Sequence, residues 1–163
     1  TVQLAMLADD LDVVYLARRD GLYPVRLAST LGRALPATCT ATGKAILSEL
    51  PRAELDERLA RGRLPALTEH SITSIVELRT ALADIRTAGH ALDREEVIEG
   101  VICVAVAIPA PDVSDQWMAI SATLLAPSAT DALLDEIAAE LHVVADTISV
   151  GLGRPVELER PTA

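Results

Sequence analysis

The stretch DREEVIEGVICVAVAIPAPDVSDQWMAISATLLAP, residues 93–127, decides the fold. It holds two strand-like runs, Val101–Ile108 and 117–124, joined by a linker containing Pro109 and Pro111. Successive side chains on a strand point to opposite faces. In the first run Ile102, Val104, Val106 and Ile108 share one face, and Cys103, Ala105 and Ala107 the other. In the second, Met118, Ile120, Ala122 and Leu124 share one face, and Trp117, Ala119, Ser121 and Thr123 the other. Paired as a hairpin, the runs offer a bulky apolar face for helices to cover. The opposite face is small and carries a thiol and two hydroxyls. Small residues leave room, so this face reads as the floor of a pocket and the rest of the chain as its walls and lid.

Upstream of this hairpin, Val2–Leu7 and 11–17 read as strands around an Asp9-Asp10 turn. After a second turn at 18–21, residues 23–28 read as a third strand of a meander, and 29–38 as a loop. Residues 40–50 read as a helix, capped by Thr40 or Thr42, with Ala45, Ile46, Leu47 and Leu50 on its apolar stripe. Pro51 opens a second helix that Gly62 closes. Residues 63–73 form an irregular connector. Ser74 with Glu77 makes a capping box for a third helix, whose buried face is Leu78, Ala81, Leu82, Ile85 and Ala88 and whose C-cap is Gly89. Residues 91–93 are a short strand, and 94–100 an acidic connector. Downstream, Ser128 is expected to open a last helix to about Val150. Leu133, Leu134, Ile137, Leu141, Val144, Ala145 and Ile148 form its stripe, and 154–163 is a tail. The order β-β-β, helices, β-β-β, helix predicts a mixed, mainly antiparallel sheet with packed helices, an α+β domain.

At 163 residues one domain with a full core is the expectation, and half the residues are apolar, which excludes general disorder. The net charge of −10 works against nonspecific binding to nucleic acid or anionic membranes. No apolar run approaches the roughly 18 residues that span a bilayer. Cys39 and Cys103 have neither metal nor redox spacing and suggest a reducing, cytoplasmic setting, with a disulfide as the alternative. No metal or cofactor is expected: Glu95, Glu96 and Glu99 have no His at ligand spacing and read as a solvated face. Thr42-Gly43-Lys44 lacks the rest of a phosphate loop. The chain opens on Thr1, directly in a strand, and reads as a piece of a longer protein.

Three segments carry a resemblance. They are Leu35-Pro-Ala-Thr-Cys-Thr-Ala-Thr-Gly-Lys-Ala45; Gly89-His-Ala-Leu-Asp-Arg-Glu-Glu96 with Gly100-Val-Ile-Cys-Val-Ala105; and Ala119-Ile-Ser-Ala-Thr123 with Pro127. Together with 67–73 and 148–153, they resemble the effector-binding domain of IclR-type bacterial transcription regulators. The resemblance covers nearly the whole chain, with residues 1–153 as the regulatory domain. It implies a GAF/PAS-like fold: a six-stranded antiparallel sheet with helices on one side and a ligand cavity on the other. It further implies a small-molecule effector, often a carboxylate, homodimer or homotetramer assembly, and operator DNA bound through an N-terminal winged helix-turn-helix that this chain lacks.

Carried over position by position, the resemblance places Ala41 and Thr42 in the anion-holding start of a helix. It makes Asp93, Cys103, Ser121 and Thr123 the polar contacts, and Leu27, Leu35 and Val101 the apolar walls. Ala41 and Thr42 depart from the smaller or hydroxyl-bearing residues of relatives, and Thr123 stands for a common Ser. Other readings stay open. Cys103 as a nucleophile needs a low thiol pKa beside a base, and His70, His90 and His142 sit at no catalytic spacing. A small buried pocket contact is the alternative, and no catalytic residue is assigned. A small enzyme using Cys103, or an oligomerisation module with no ligand, are the competing functions. Asp93 is either a recogniser of a ligand hydroxyl or amine, or a structural strand-end Asp. Trp117 is either a stacking platform or packing.

Overall fold

The hairpin forms in the register that its alternation demands. In this computed structural model, which describes residues 1–8, 11–21, 30–109 and 116–153, β5 (Val101–Ile108) pairs antiparallel with β6 (Met118–Leu125), Cys103 opposite Thr123 and Ala105 opposite Ser121. Around it stand β1 (Val2–Leu7), β2 (Asp12–Arg19), β3 (Ala34–Pro36) and β4 (Ala91–Arg94). The six strands lie in the order β3-β2-β1-β6-β5-β4, and every neighbouring pair is antiparallel. The helices are α1 (Ala41–Glu49), α2 (Arg52–Arg61), α3 (Ile75–Ala88) and α4 (Asp131–Gly151). The fold is the expected α+β one.

Each face of the sheet has its own core. The bulky face of β5 and β6 packs on Leu134, Ala138, Leu141 and Ala145 of α4. The small face, with Ala105 and Ala119, packs on Ala41, Ala45 and the apolar side chains of α1–α3. The expectation of all helices on one side is therefore corrected: α4 stands alone on the bulky face, and α1 shares the cavity side. Small residues at 103, 105, 107 and 119 let α1 approach the sheet closely, and eight of the nine α1 residues are buried.

Local signals set the helix ends. Thr40 caps α1, its hydroxyl accepting from Gly43 N at 3.0 Å, which selects it over Thr42. Ser74 caps α3, and Gly89 ends it in the left-handed region at φ 79°, where a side chain would be strained. The last helix is capped by Thr130, with Leu133 N donating to its hydroxyl at 3.3 Å, not by Ser128. Ser128 belongs to a short 3-10 turn, Ala126–Ser128, containing Pro127. Val144, read as part of the α4 stripe, is 42% exposed.

The loop read at 29–38 contains β3, with Leu35 opposite Val13. The strand expected at 23–28, the Asp9-Asp10 turn, most of the 109–115 linker and the tail lie outside the described residues. Among the described residues no helix is long and apolar enough to cross a membrane.

Candidate functional site

The cavity floor is a row of cross-strand partners. Asp93 on β4 lies opposite Cys103 on β5, which lies opposite Thr123 on β6. One step along, Ser121 lies opposite Gln3 on β1. Tyr15 on β2 and Leu35 on β3 extend the wall, and Val97, Ile98 and Val101 close the opposite side. The roof is the start of α1, Thr40 to Thr42. The unfilled volume, mouth included, is about 390 Å³, but the centre of a water can reach only about 30 Å³ of it. That is room for a few waters.

Gly43 makes the roof possible. A Cβ there would overlap the backbone of Ala37, so only glycine lets the first turn of α1 rest on that strand end. Thr40 takes the Gly43 amide on its hydroxyl and the Lys44 amide on its carbonyl. The amides of Ala41 and Thr42 have no partner among the described residues, and they stand at the positive end of the helix dipole. The Thr42 hydroxyl shares a hydrogen bond with Tyr15 Oη at 3.4 Å. Cys103 Sγ and Thr123 Oγ1 are 3.2 Å apart.

A hydrogen-bonded lid loop follows β4. Glu96 N donates to Asp93 Oδ1 at 2.7 Å, and Gly100 N to Glu95 Oε2 at 2.6 Å. Glu95 itself sits at φ 65°. From the 63–73 connector, Thr68 Oγ1 donates to Glu95 O and Ser71 Oγ to Glu96 O, each at 2.7 Å. Behind the roof, Lys44 and Glu96 form a buried ion pair, and Glu96 Oε2 has no hydrogen-bond partner among the described residues. The expectation of a solvated face fails at Glu96, which is buried where Lys44 of α1 meets it.

Burial dominates the titration of the site. It pushes the Asp93 carboxyl up to about 7, opposed by the Glu96 amide and reinforced by the Glu96 charge. It lifts the Cys103 thiol to about 12, with the Asp93 charge adding to the rise. It lifts the Tyr15 phenol to about 12 against the hydrogen bond from Thr42. A thiol held that high is a poor nucleophile. Among the described residues no His, Cys, Asp or Glu cluster has the makings of a metal site.

Of the nine residues that the sequence nominated, eight line this one cavity: Ala41, Thr42, Asp93, Cys103, Ser121, Thr123, Leu35 and Val101. Leu27 lies outside the described residues. Trp117 packs against the core of the small face and does not line the cavity. Sequence reasoning missed Gln3, Tyr15, Val97 and Ile98, and read Thr40 only as a helix cap. Gln3 carried a signal: it shares a strand face with Ala5 and Leu7, so a polar side chain points inward there.

Comparison with known proteins agrees with this architecture. Residues 1–150 match the family described as bacterial transcriptional regulator IclR, C-terminal. The HTH-type transcriptional regulator KdgR of Escherichia coli K12 is 33% identical over 94% of this chain and 57% of its own length. The crystal structure of the Thermotoga maritima IclR superposes with a TM-score of 0.87 at 32% identity, over 93% of this chain and 61% of that one. A PobR inducer-binding domain from Acinetobacter, solved as a double mutant with 3-hydroxybenzoic acid, superposes with a TM-score of 0.77 at 27% identity, over 91% of this chain and 86% of that one. The chain spans about half the length of the curated relatives it matches. These relatives are transcription regulators, and the matched unit is a regulatory domain, not an enzyme. The chain belongs to the IclR family of bacterial transcriptional regulators, and residues 1–150 are its C-terminal domain.

Proposed function

We propose that this domain senses a small monocarboxylic or aromatic acid in the cavity between the β4-β5-β6 floor and the start of α1, and thereby modulates operator binding by a winged helix-turn-helix outside this chain. The observation that carries the reading is the convergence on one cavity of Thr42, Asp93, Cys103, Ser121 and Thr123 with the open amides of α1. Hydroxyls and helix N-terminal amides suit a carboxylate. The cavity lining holds no Lys or Arg among the described residues, which disfavours a di-acid. A relative's inducer-binding domain solved with 3-hydroxybenzoic acid supports the ligand class.

The effector selects an arrangement with α1 or the 95–100 loop displaced. It shifts that population in proportion to its differential affinity. In a cytoplasmic homodimer or homotetramer, such a shift re-spaces the DNA-binding modules. The test is thermal unfolding of this chain against a panel of hydroxybenzoates and short 2-oxo and hydroxy acids. A ligand at a hundred times its dissociation constant adds about 2.7 kcal/mol. A selective rise that is lost in Ser121→Ala/Thr123→Val supports the assignment. Binding that persists unchanged in that folded variant places the ligand elsewhere, and no response to any acid favours the assembly-module reading.

A further inference from the structure

We propose that the effector carboxylate is taken up together with one proton, held by Asp93, so that Asp93 acts as a neutral hydrogen-bond donor to the bound acid. The inference rests on the acid-sensing reading above. Its basis is the charge inventory of the cavity. Asp93 is 3% exposed and is the only carboxyl group in a lining that holds no Lys, Arg or His among the described residues.

The groups facing Asp93 from the surrounding elements do not neutralise it. From α1 comes the Lys44 ammonium, but it is committed to Glu96 of the lid loop, whose charge opposes it at Asp93. From β2 comes the Tyr15 phenol, from β5 the Cys103 thiol, and from the segment before α1 the Cys39 thiol, all neutral and all raised by burial. β1 and β6 contribute only the uncharged Gln3, Ser121 and Thr123. An acid anion entering this space would stand beside a second carboxylate with no counter-ion. Two carboxylates in one closed site cannot both remain ionised without large cost, and they share a proton instead.

The balance is one proton: ionised Asp93, a solvent proton and the ligand carboxylate combine to give a carboxylic acid donating to a carboxylate. Asp93 is predisposed to this, since burial already places its proton affinity near neutrality. The Glu96 amide donates to Oδ1, and the Val97 amide also acts on the carboxyl, so the proton competes with these backbone donors for the carboxyl oxygens. Asp93 thereby becomes a specificity determinant. It admits a monoanion only in protonated form, and it would accept a neutral hydroxyl or amide ligand without proton uptake.

The experiment uses this chain and the acids of the panel, beginning with 3-hydroxybenzoate, and pairs each binder with its neutral carboxamide. The competent fraction of Asp93 falls with pH, so Kd for the acid should weaken about a hundredfold from about pH 6 to about pH 9. Titration calorimetry in buffers of differing ionisation enthalpy should show about one proton taken up per ligand at the alkaline end and much less at the acid end. The carboxamide should show neither effect. Asp93→Asn, which keeps an acceptor for the Glu96 amide, should bind the acid with a flat pH profile; Glu96→Gln, which removes a charge that raises Asp93 and frees Lys44, should move the slope to lower pH without abolishing it. Tight acid binding with no proton uptake in the wild-type chain overturns the proposal and leaves the sensor reading standing. So does a slope that survives Asp93→Asn and vanishes in Glu96→Gln. Failure of every acid and carboxamide to bind at either pH overturns both.

Discussion

Lys44 and Glu96, on α1 and in the loop after β4, form an ion pair whose side chains are only 4% and 8% exposed. It ties the cavity roof to the cavity lid, 52 residues apart in sequence. Removing one partner strands the other charge in the interior. Lys44→Met should therefore cost about 3–5 kcal/mol, read as a fall in the urea midpoint. Lys44→Met combined with Glu96→Leu should be less destabilised than the sum of the single changes. Additive losses would show that the pair is not coupled.

Gly43→Ala tests how closely α1 rests on the strand end. Its Cβ would meet backbone atoms of Ala37, which cannot rotate away. A loss of about 3 kcal/mol is expected, at the upper end for overpacking, whereas Gly21→Ala, with open space around it, should be near neutral. Equal stability of the two variants in chemical denaturation would refute the close approach.

Asp93 makes stability fall with rising pH. Its carboxyl titrates near 7 when folded and near 3.8 when unfolded. Below the lower value both states hold the proton and there is no penalty. Between the two values the unfolded chain releases its proton first, so folding loses ground. Above about 7 the loss is complete, on the order of a few kcal/mol. Urea melts of wild type and Asp93→Asn should diverge between the acid and alkaline ends, with the Asn variant the more stable at about pH 8. Parallel curves would mean that Asp93 is not buried in its charged form.

Cys103 should be chemically quiet. With its thiol lifted to about 12, the thiolate fraction at pH 8 is about a thousandfold below that of an ordinary cysteine. Cys39, fully buried with Sγ donating to Pro65 O at 3.2 Å, is also raised. Alkylation followed by mass spectrometry should label neither thiol in the native chain on a timescale that labels both in denaturant. Fast native labelling of Cys103 would revive the nucleophile reading.

Much of this was legible locally. The Ser74 cap with Glu77, Gly89 as the αL terminus, and the faces of β5 and β6 follow from spacing alone. β3 escaped because a three-residue strand shows no alternation, and Ala34–Pro36 lies among Gly32, Pro36 and Thr38, which read as a loop. Val144 looked apolar and periodic, yet the buried face of α4 runs through Leu134, Ala138, Leu141 and Ala145, and Val144 stays 42% exposed. Glu96 looked solvated because its partner is distant in sequence.

The sequence by itself determined the elements and their faces, because helix and strand periods are properties of short windows. It thereby placed Cys103, Ser121 and Thr123 on one surface. Only the tertiary structure decided that β1 lies between β2 and β6, bringing Gln3 beside Ser121. It also decided that the cavity is small, that Lys44 is spent on Glu96, and that Asp93 is left without a counter-ion. Those outcomes depend on which distant segments share a low-dielectric interior. Burial and charge pairing are set by that proximity, which no local window of residues contains.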